Sequence, residues 1–118
     1  MSETAAAPEV SVVIATYNRH DLLRRLLQEL DAQTLDPGRY EVVAVDDGST
    51  EDTRDRLADL ATRYPCRIER QANAGAAAAR QRGVELARGR IIVFLDDDML
   101  VSPDFLERHL AQHDGPDT

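Results

Sequence analysis

The stretch Ile91-Ile-Val-Phe-Leu-Asp-Asp-Asp-Met-Leu100 sets five apolar residues directly before three consecutive aspartates. A continuous, β-branched apolar run of this length is typical of a strand that is covered on both faces. The carboxylates that follow it repel one another at this spacing, and their charge predicts a positive partner. We therefore expect a buried strand whose end faces a cation that the stretch itself does not contain.

Three further segments have the character of strands. Val10-Ser-Val-Val-Ile-Ala15 and Val42-Val-Ala-Val45 are continuous and β-branched, as in the first stretch. Cys66-Arg-Ile-Glu-Arg70 is interrupted by charged side chains that need water, which indicates a strand nearer the edge of a sheet. Helical patterns lie between these runs, and an apolar stripe of leucines marks the first of them. The sequence predicts four helices: about 19–33, one that begins after 49–52 with its stripe at 57, 60, 61 and 64, about 76–87, and one that begins at 102–103.

Strands and helices therefore alternate along the whole chain, which is the pattern of a parallel sheet joined by right-handed crossovers. The predicted fold is α/β: a Rossmann-like, three-layer α/β/α arrangement with a mainly parallel four-stranded sheet and helices on both faces. At 118 residues the chain has room for one domain, assigned to residues 10–118. The small and polar residues 1–9 are expected to form a flexible leader.

Composition excludes several classes of protein. A formal net charge of −8 with no basic cluster argues against nucleic acid as a partner. No apolar run approaches the ~20 residues that span a bilayer, and the first residues lack a secretory signal, so we expect a cytoplasmic chain without a transmembrane segment. A single cysteine, Cys66, allows no internal disulfide, and the spacing of the histidines fits no zinc site.

Polar clusters follow all four predicted strands. In open parallel sheets, ligands bind outside the carboxyl ends of the strands, so these clusters are the candidate site. Five aspartates gathered there would raise the cost of ionisation, and a hard divalent ion, Mg²⁺ or Mn²⁺, would relieve it while binding the diphosphate of a ligand. Tyr17 would either offer that ligand an aromatic face or pack internally. The clusters are Thr16-Tyr-Asn-Arg19, Asp46-Asp-Gly-Ser49, Asn73-Ala-Gly75 and Asp96-Asp-Asp98.

Four other phosphate chemistries fit poorly. A receiver domain needs an acidic pair after its first strand and a lysine, whereas this strand ends in Thr16-Tyr-Asn18 and every basic residue is arginine. A phosphatase of the haloacid-dehalogenase type would match Asp96 and Asp98 but also needs a lysine. The Gly-x-Gly-x-x-Gly of dinucleotide-binding folds and the Gly-Lys-Ser/Thr of phosphate loops are both absent from the sequence.

The same motifs, in this order and spacing, resemble those of the family-2 inverting glycosyltransferases of the GT-A fold. The resemblance covers about residues 10 to 113 and implies that the chain is the nucleotide-sugar-binding half of such an enzyme, with a UDP-sugar as donor. It rests on Val-Ser-Val-Val-Ile-Ala-Thr-Tyr-Asn (10 to 18), Val-Val-Ala-Val-Asp-Asp-Gly-Ser (42 to 49), Asn-Ala-Gly with Ala-Arg at 79 and 80, and Phe-Leu-Asp-Asp-Asp (94 to 98).

The resemblance also implies roles for single residues. Thr16 and Tyr17, with Asn18 beside them, would line the nucleobase pocket. Asp47 would hydrogen-bond the base, typically uracil, and Asp46 would support its loop. Asn73 and Gly75 would shape the loop before the third helix, and Arg80 would point toward the phosphates. In the Asp-x-Asp motif, Asp98 would bind the metal directly, Asp96 would contact the ribose or the metal through water, and Asp97 would take the variable middle place.

The acceptor half of this family supplies the catalytic general base, and no candidate base follows the Asp-x-Asp motif here. His109 and His113 are assigned to surface or packing roles on the last helix. We expect the base beyond residue 118, and the acceptor is unknown. Two alternatives stay open: a module that binds a nucleoside diphosphate and metal without turnover, and a domain that associates with itself through an apolar face that the missing half would cover.

Overall fold

The computed structural model describes residues 7–113 of the chain. Strands and helices alternate along it, as the sequence predicts, and a short 3₁₀ turn precedes the second strand. The elements are β1 (Val10–Thr16), α1 (His20–Leu30), the 3₁₀ turn (Pro37–Arg39), β2 (Tyr40–Asp46), α2 (Thr53–Arg56), β3 (Cys66–Arg70), α3 (Ala76–Leu86), β4 (Ile91–Asp96) and α4 (Phe105–His113).

The four strands form one sheet in the order β3-β2-β1-β4, and all neighbours are parallel. β3 lies at one edge, as expected from its charged residues. In the register of the sheet, Thr16 pairs with Asp46, and Ala15 pairs with Asp96. The predicted α/β fold is confirmed, and the polar ends of β1, β2 and β4 meet at one edge of the sheet.

One face of the sheet carries the larger part of the core. The leucine stripe of α1 and the first buried leucines of α4 pack on the inward residues of β1, β2 and β4. Burial of each such side chain contributes about 1.5–3 kcal/mol before the cost of ordering it. The fully buried leucines of the two helices are Leu23, Leu26, Leu27, Leu30 and Leu106. This face therefore supplies most of the apolar burial that stabilises the sheet beneath the polar edge.

Among the described residues, α3 is the helix that covers the opposite face, where it packs on β1 and β2. Gly83 makes the close approach possible, because a Cβ atom at this position would collide with the side chain of Val13. β4 forms an edge of the sheet outside the area that this helix covers, and Phe94, the register partner of Val13, is 52% exposed. The prediction that this strand is covered on both faces is therefore wrong. This close packing of α3 on the sheet places the first turn of the helix at the polar edge.

Three predicted helix boundaries were wrong. α1 ends at Leu30 rather than near 33, because the hydroxyls of Tyr40 and Tyr64 donate to the last carbonyls of the helix, those of Leu30 and Leu27. α2 is a single turn, capped by the Asp52 side chain, and Leu57 and Tyr64, which follow it, are buried without forming part of a helix. α4 begins at Phe105 rather than at 102–103.

The loop before α4 explains its late start. The carbonyls of Ser102 and Pro103 accept hydrogen bonds from Gln33 and Thr34, which belong to another part of the chain. Residues 1–6 of the predicted leader lie outside the described residues. Within the rest of it, Pro8 is buried and the backbone N–H of Glu9 donates to the carbonyl of Arg39.

Candidate functional site

A cavity of about 420 Å³ opens at the carboxyl edge of the sheet. This volume is within the usual range of small-molecule sites. The cavity brings together most of the predicted site residues from β1, β2, the loop before α3, and β4. It is lined by Ala15, Thr16, Tyr17, Arg19, Asp47, Asn73, Ala76, Arg80, Asp96, Asp97 and Asp98. Asn18, Asp46 and Gly75 are not among the lining residues.

The end of β1 contributes one hydroxyl and one aromatic ring. The Thr16 hydroxyl donates to Asp97 Oδ2 at 2.9 Å, so it links the ends of β1 and β4. Tyr17 is half-exposed and lines the cavity. A tyrosine with a packing role alone would bury its ring, so the exposure favours a ring that is available to a ligand.

The three aspartates after β4 do not share one environment. The side chains of Asp96 and Asp98 are 66% and 56% exposed, whereas that of Asp97 is 7% exposed. Asp97 accepts hydrogen bonds from Thr16 and from Arg19 Nη1, the latter at 3.3 Å. The middle aspartate is therefore a buried tie between strands, and the outer two are presented to the cavity.

Two arginines supply positive charge beside these carboxylates. Arg80 of α3 forms an ion pair with Asp96 at 3.4 Å. Arg19 forms ion pairs with Asp97 at 3.3 Å and with Asp98 at 3.8 Å. Part of the positive charge that the sequence predicted beside the three aspartates therefore comes from arginines of the same chain. The sequence placed Arg19 in the polar cluster after β1 but indicated no role for it.

Asp46 does not face the cavity, so the prediction that five carboxylates gather in one cleft is wrong at this position. Asp46 is fully buried, and its carboxylate accepts from the backbone N–H groups of Ser49 and Thr53 and from Arg70 Nη1 at 3.0 Å. Burial acts to raise the pKa of Asp46, but the hydrogen bonds from Ser49 and Thr53 outweigh it and hold the pKa below its ordinary value. Asp46 orders the loop after β2.

Asp47 lines the cavity, but four donors already occupy its carboxylate. Oδ1 accepts from Gln71 Nε2 at 2.9 Å and from the backbone N–H of Ala74 at 2.8 Å. Oδ2 accepts from the backbone N–H of Gly75 at 3.0 Å and from Asn73 Nδ2 at 3.3 Å. Burial acts to raise the pKa of Asp47, and the hydrogen bonds from Gln71, Ala74 and Gly75 outweigh it and lower the pKa.

The loop after β2 packs closely against the loop before α3 and against the loop after β1. Gly48 has a φ of 83°, and a Cβ atom there would lie 2.8 Å from the backbone nitrogen of Asn73, so only glycine fits. Asn18 has a φ of 54°; its N–H donates to the Ser49 hydroxyl, and its side chain accepts from Thr50. Asn18 and Gly75 therefore shape the walls of the cavity rather than lining it.

Two of the carboxylates that line the cavity could serve as ligands of a hard divalent ion. Asp96 and Asp98 present two exposed carboxylates, and Mg²⁺ or Mn²⁺ bound by two carboxylates keeps further positions for water and phosphate oxygens. Residues 7–113 contain no group of three or more His, Cys, Asp or Glu side chains that could hold a metal by themselves. The donor set thus fits an ion that shares its ligands with an anionic substrate.

The first turn of α3 adds a second feature that suits an anion. Ala76, the first residue of this helix, lines the cavity. The free N–H groups and the dipole of a helix N-terminus favour negative groups such as phosphates.

In the part of the chain that the structure describes, no helix is both long and apolar enough to cross a bilayer.

Comparison with known proteins gives one consistent result. The model of a family described as Glycosyl transferase family 2 matches residues 11–118. The validoxylamine A glucosyltransferase of Streptomyces hygroscopicus subsp. limoneus is 42% identical over 115 residues, which are 96% of this chain and 25% of that protein. The glycosyltransferase AglE of Haloferax volcanii is 34% identical over 115 residues, which are 95% of this chain and 38% of AglE.

Solved structures agree with these relatives. S. aureus TarS 1-349 in complex with UDP-GlcNAc has a TM-score of 0.80 at 27% identity, over 87% of this chain and 30% of that one. The mannosyltransferase PcManGT from Pyrobaculum calidifontis, in complex with GDP-Man and Mn²⁺, has a TM-score of 0.83 at 27% identity, over 94% of this chain and 34% of that one. The predicted GT-A fold is confirmed, and the chain spans well under half of these proteins.

Proposed function

The chain belongs to glycosyl transferase family 2, and on that premise we propose that residues 10–118 bind the donor of an enzyme that transfers a sugar from a UDP-sugar to an acceptor hydroxyl with inversion. The observation that carries the proposal is the cavity, because it combines an exposed aromatic ring, two exposed carboxylates and two arginines at the carboxyl edge of the sheet. The complexes of TarS with UDP-GlcNAc and of PcManGT with GDP-Man and Mn²⁺ support a sugar nucleotide as the ligand.

Each group has a place in this function. The ring of Tyr17 stacks on the nucleobase, and the loop that contains Asp47 flanks that base. For the base to donate a hydrogen bond directly to Asp47, it must displace one of the four groups that now donate to this carboxylate. Asp98 and Asp96 hold the divalent ion, and Arg80 with the first turn of α3 faces the phosphates. A bound Mg²⁺ or Mn²⁺ supplies charge neutralisation at the leaving diphosphate.

The transfer itself is a substitution at the anomeric carbon. The acceptor oxygen bonds to that carbon as the bond to the diphosphate oxygen breaks, and the electron pair leaves with the diphosphate. Arg80 and the amides of α3 stabilise the negative charge that develops there. The hydroxyl proton goes to a general base, which the resemblance places in the acceptor half of the complete enzyme.

The second candidate is a module that binds the nucleotide and metal without turnover. It is favoured by the places that the acids of the cavity already take: Asp47 and Asp97 accept hydrogen bonds from neighbouring groups, and Asp96 and Asp98 are the proposed ligands of the ion. Among the described residues, no carboxylate that lines the cavity is thus left for the role of general base. His109 packs its ring on Phe105 at 4.7 Å between centroids and does not line the cavity. The side chain of His113 lies outside the described residues.

Self-association remains a third proposal. The outer edge of β4 has no strand partner among the described residues, and Phe94 exposes about half of its surface on the face that α3 leaves open. Such a face favours pairing with another copy. Sedimentation velocity should show a concentration-dependent dimer that the variant Phe94→Ser weakens, and a monomer at every concentration would contradict the proposal.

Calorimetric titration tests the main proposal. We expect UDP to bind with Mn²⁺ and to bind at least about tenfold more weakly without it, because the ion neutralises the carboxylates and the diphosphate together. GDP titrated in parallel tests the preference for uracil. A separate assay for hydrolysis of UDP-glucose distinguishes an enzyme from a binding module.

The variant Asp98→Ala should lose the effect of Mn²⁺ on UDP affinity. Its matched control is Asp104→Ala, which removes an equally half-exposed carboxylate outside the cavity. The proposal fails if the wild-type chain binds no nucleoside diphosphate, or if Asp98→Ala retains full dependence on the metal. Circular dichroism confirms that each variant is folded.

A further inference from the structure

Arg19 contacts two carboxylates that differ in burial and in distance. Its Nη1 lies 3.3 Å from Asp97, whose side chain is nearly buried, and 3.8 Å from Asp98, whose side chain is 56% exposed. Only the contact to Asp97 satisfies hydrogen-bond geometry. Since solvent weakens exposed ion pairs, the contact to Asp98 is the weaker of the two and the easier to exchange.

The anchor on Asp97 is itself well held. Asp97 also accepts from the Thr16 hydroxyl, which keeps its carboxylate between β1 and β4. The backbone of Arg19 is the N-cap of α1, and its carbonyl accepts from the N–H of Leu23 at 3.0 Å. Arg19 is therefore held at its backbone by α1 and at its guanidinium by Asp97. Its side chain is nevertheless 53% exposed and lines the cavity.

We propose that Arg19 is an exchangeable counter-ion of the site: it balances Asp98 while no divalent ion is bound, and it turns to the diphosphate, still anchored on Asp97, once Asp98 binds the ion. This inference rests on the proposed function, since it concerns the metal and the diphosphate of the same cavity. It assigns a role to a residue of the polar cluster after β1 for which the sequence motifs implied none.

The exchange follows from charge and geometry. A divalent ion on Asp98 and a guanidinium on the same carboxylate repel each other, so the two compete. A guanidinium released from one carboxylate has donors that match a phosphate, and it can bind two oxygens at once. Arg19 therefore lowers the affinity for the metal alone and raises the affinity for the diphosphate.

These two effects have opposite signs, which gives a test that a structural role would not satisfy. In Arg19→Gln, Mn²⁺ titrated alone should bind about threefold to tenfold more tightly, because a competing charge is lost. UDP titrated at saturating Mn²⁺ should bind about tenfold more weakly, because a charged donor to phosphate is lost. Electron paramagnetic resonance of free Mn²⁺ and calorimetry of UDP binding measure the two affinities.

The control is Arg25→Gln. Arg25 carries the same charge and its Nη2 lies 3.3 Å from the backbone carbonyl of Asp98, but it contacts neither carboxylate. This variant should leave both affinities within about twofold, because it removes an exposed hydrogen bond to the backbone and a charge that salt screens, but no contact to either carboxylate. Arg19→Lys keeps the charge and should retain the wild-type affinity for Mn²⁺; it replaces Arg19→Gln if the latter fails to fold, with a weaker UDP affinity as the expected result.

The outcomes separate this inference from the proposed function. Unchanged or weaker Mn²⁺ binding in Arg19→Gln overturns the exchange, as does a wild-type chain that binds no Mn²⁺. Wild-type binding of Mn²⁺ without any binding of UDP overturns the proposed function and the diphosphate half of the inference. In that case tighter Mn²⁺ binding by Arg19→Gln would still support competition at Asp98.

Discussion

β2 and β4 each end in consecutive aspartates at the same edge of one sheet, but the chain treats the two ends differently. At the end of β2, Asp46 and Asp47 are buried and seven contacts from backbone and side-chain donors hold their oxygens. At the end of β4, the side chains of Asp96 and Asp98 stay more than half exposed, and within residues 7–113 their carboxylates contact one arginine each, at 3.4 and 3.8 Å. The aspartates after β2 therefore stabilise the local structure, whereas the outer aspartates after β4 form part of a candidate ligand site, although both groups follow an apolar strand.

The physical difference is the supply of amide donors. The loop after β2 turns back on itself, and the loop before α3 approaches it closely at Gly48, so backbone N–H groups converge on Asp46 and Asp47. The loop after β4 supplies no such convergence on Asp96 and Asp98. Three changes test this comparison, and their expected effects decrease in size.

The largest effect is expected for Asp46→Ala. This change leaves two buried N–H groups and Arg70 Nη1 without their acceptor, and it should lower the free energy of unfolding by about 3 kcal/mol. Urea denaturation followed by circular dichroism measures it. The control Asp59→Ala removes an exposed carboxylate paired with Arg24 and should cost less than about 1 kcal/mol. Equal losses in the two variants would contradict the structural role of Asp46.

A smaller effect is expected from acid. The pKa values of Asp46 and Asp47 are lowered in the folded state, so the stability they contribute is complete above the unfolded value of about 4 and is lost as the pH falls through the folded values. Urea midpoints should therefore change little between pH 7 and 5 and fall steeply below about pH 4. Asp47→Asn removes one of the two groups and should make that fall shallower; an unchanged slope would contradict the assignment.

The smallest effect on stability is expected at the other acidic end. Asp96→Ala and Asp98→Ala remove exposed ion pairs and should change the free energy of unfolding by no more than about 0.5 kcal/mol each. On the proposed function, Asp98→Ala should nevertheless abolish the effect of Mn²⁺ on UDP binding. The same urea series measures the stability. A loss above about 2 kcal/mol in either variant would show that these carboxylates are structural, as at β2.

Much of the architecture was readable from local pattern. Continuous β-branched runs predicted three strands, of which β1 and β2 are the covered inner pair, and the charged residues of Cys66–Arg70 predicted an edge. The same pattern did not reveal that β4 forms the other edge of the sheet. Because parallel strands end at a common edge, the sequence also predicted where the polar clusters meet. Helix ends were less accurate, since tyrosine hydroxyls and the Gln33 side chain, which come from distant segments, decide where α1 and α4 stop and start.

The amino-acid sequence by itself determined the alternation of strands and helices, the polar edge and the family motifs, because each depends on the chemistry of neighbouring residues. Only the tertiary structure decided that Asp46 and Asp97 turn inward, that Asp96 and Asp98 face the cavity, and that Arg19 lies between two of these carboxylates. The reason is physical: the environment of a carboxylate depends on donors such as Arg70 and Thr16 that are far away in the chain and meet it only after folding.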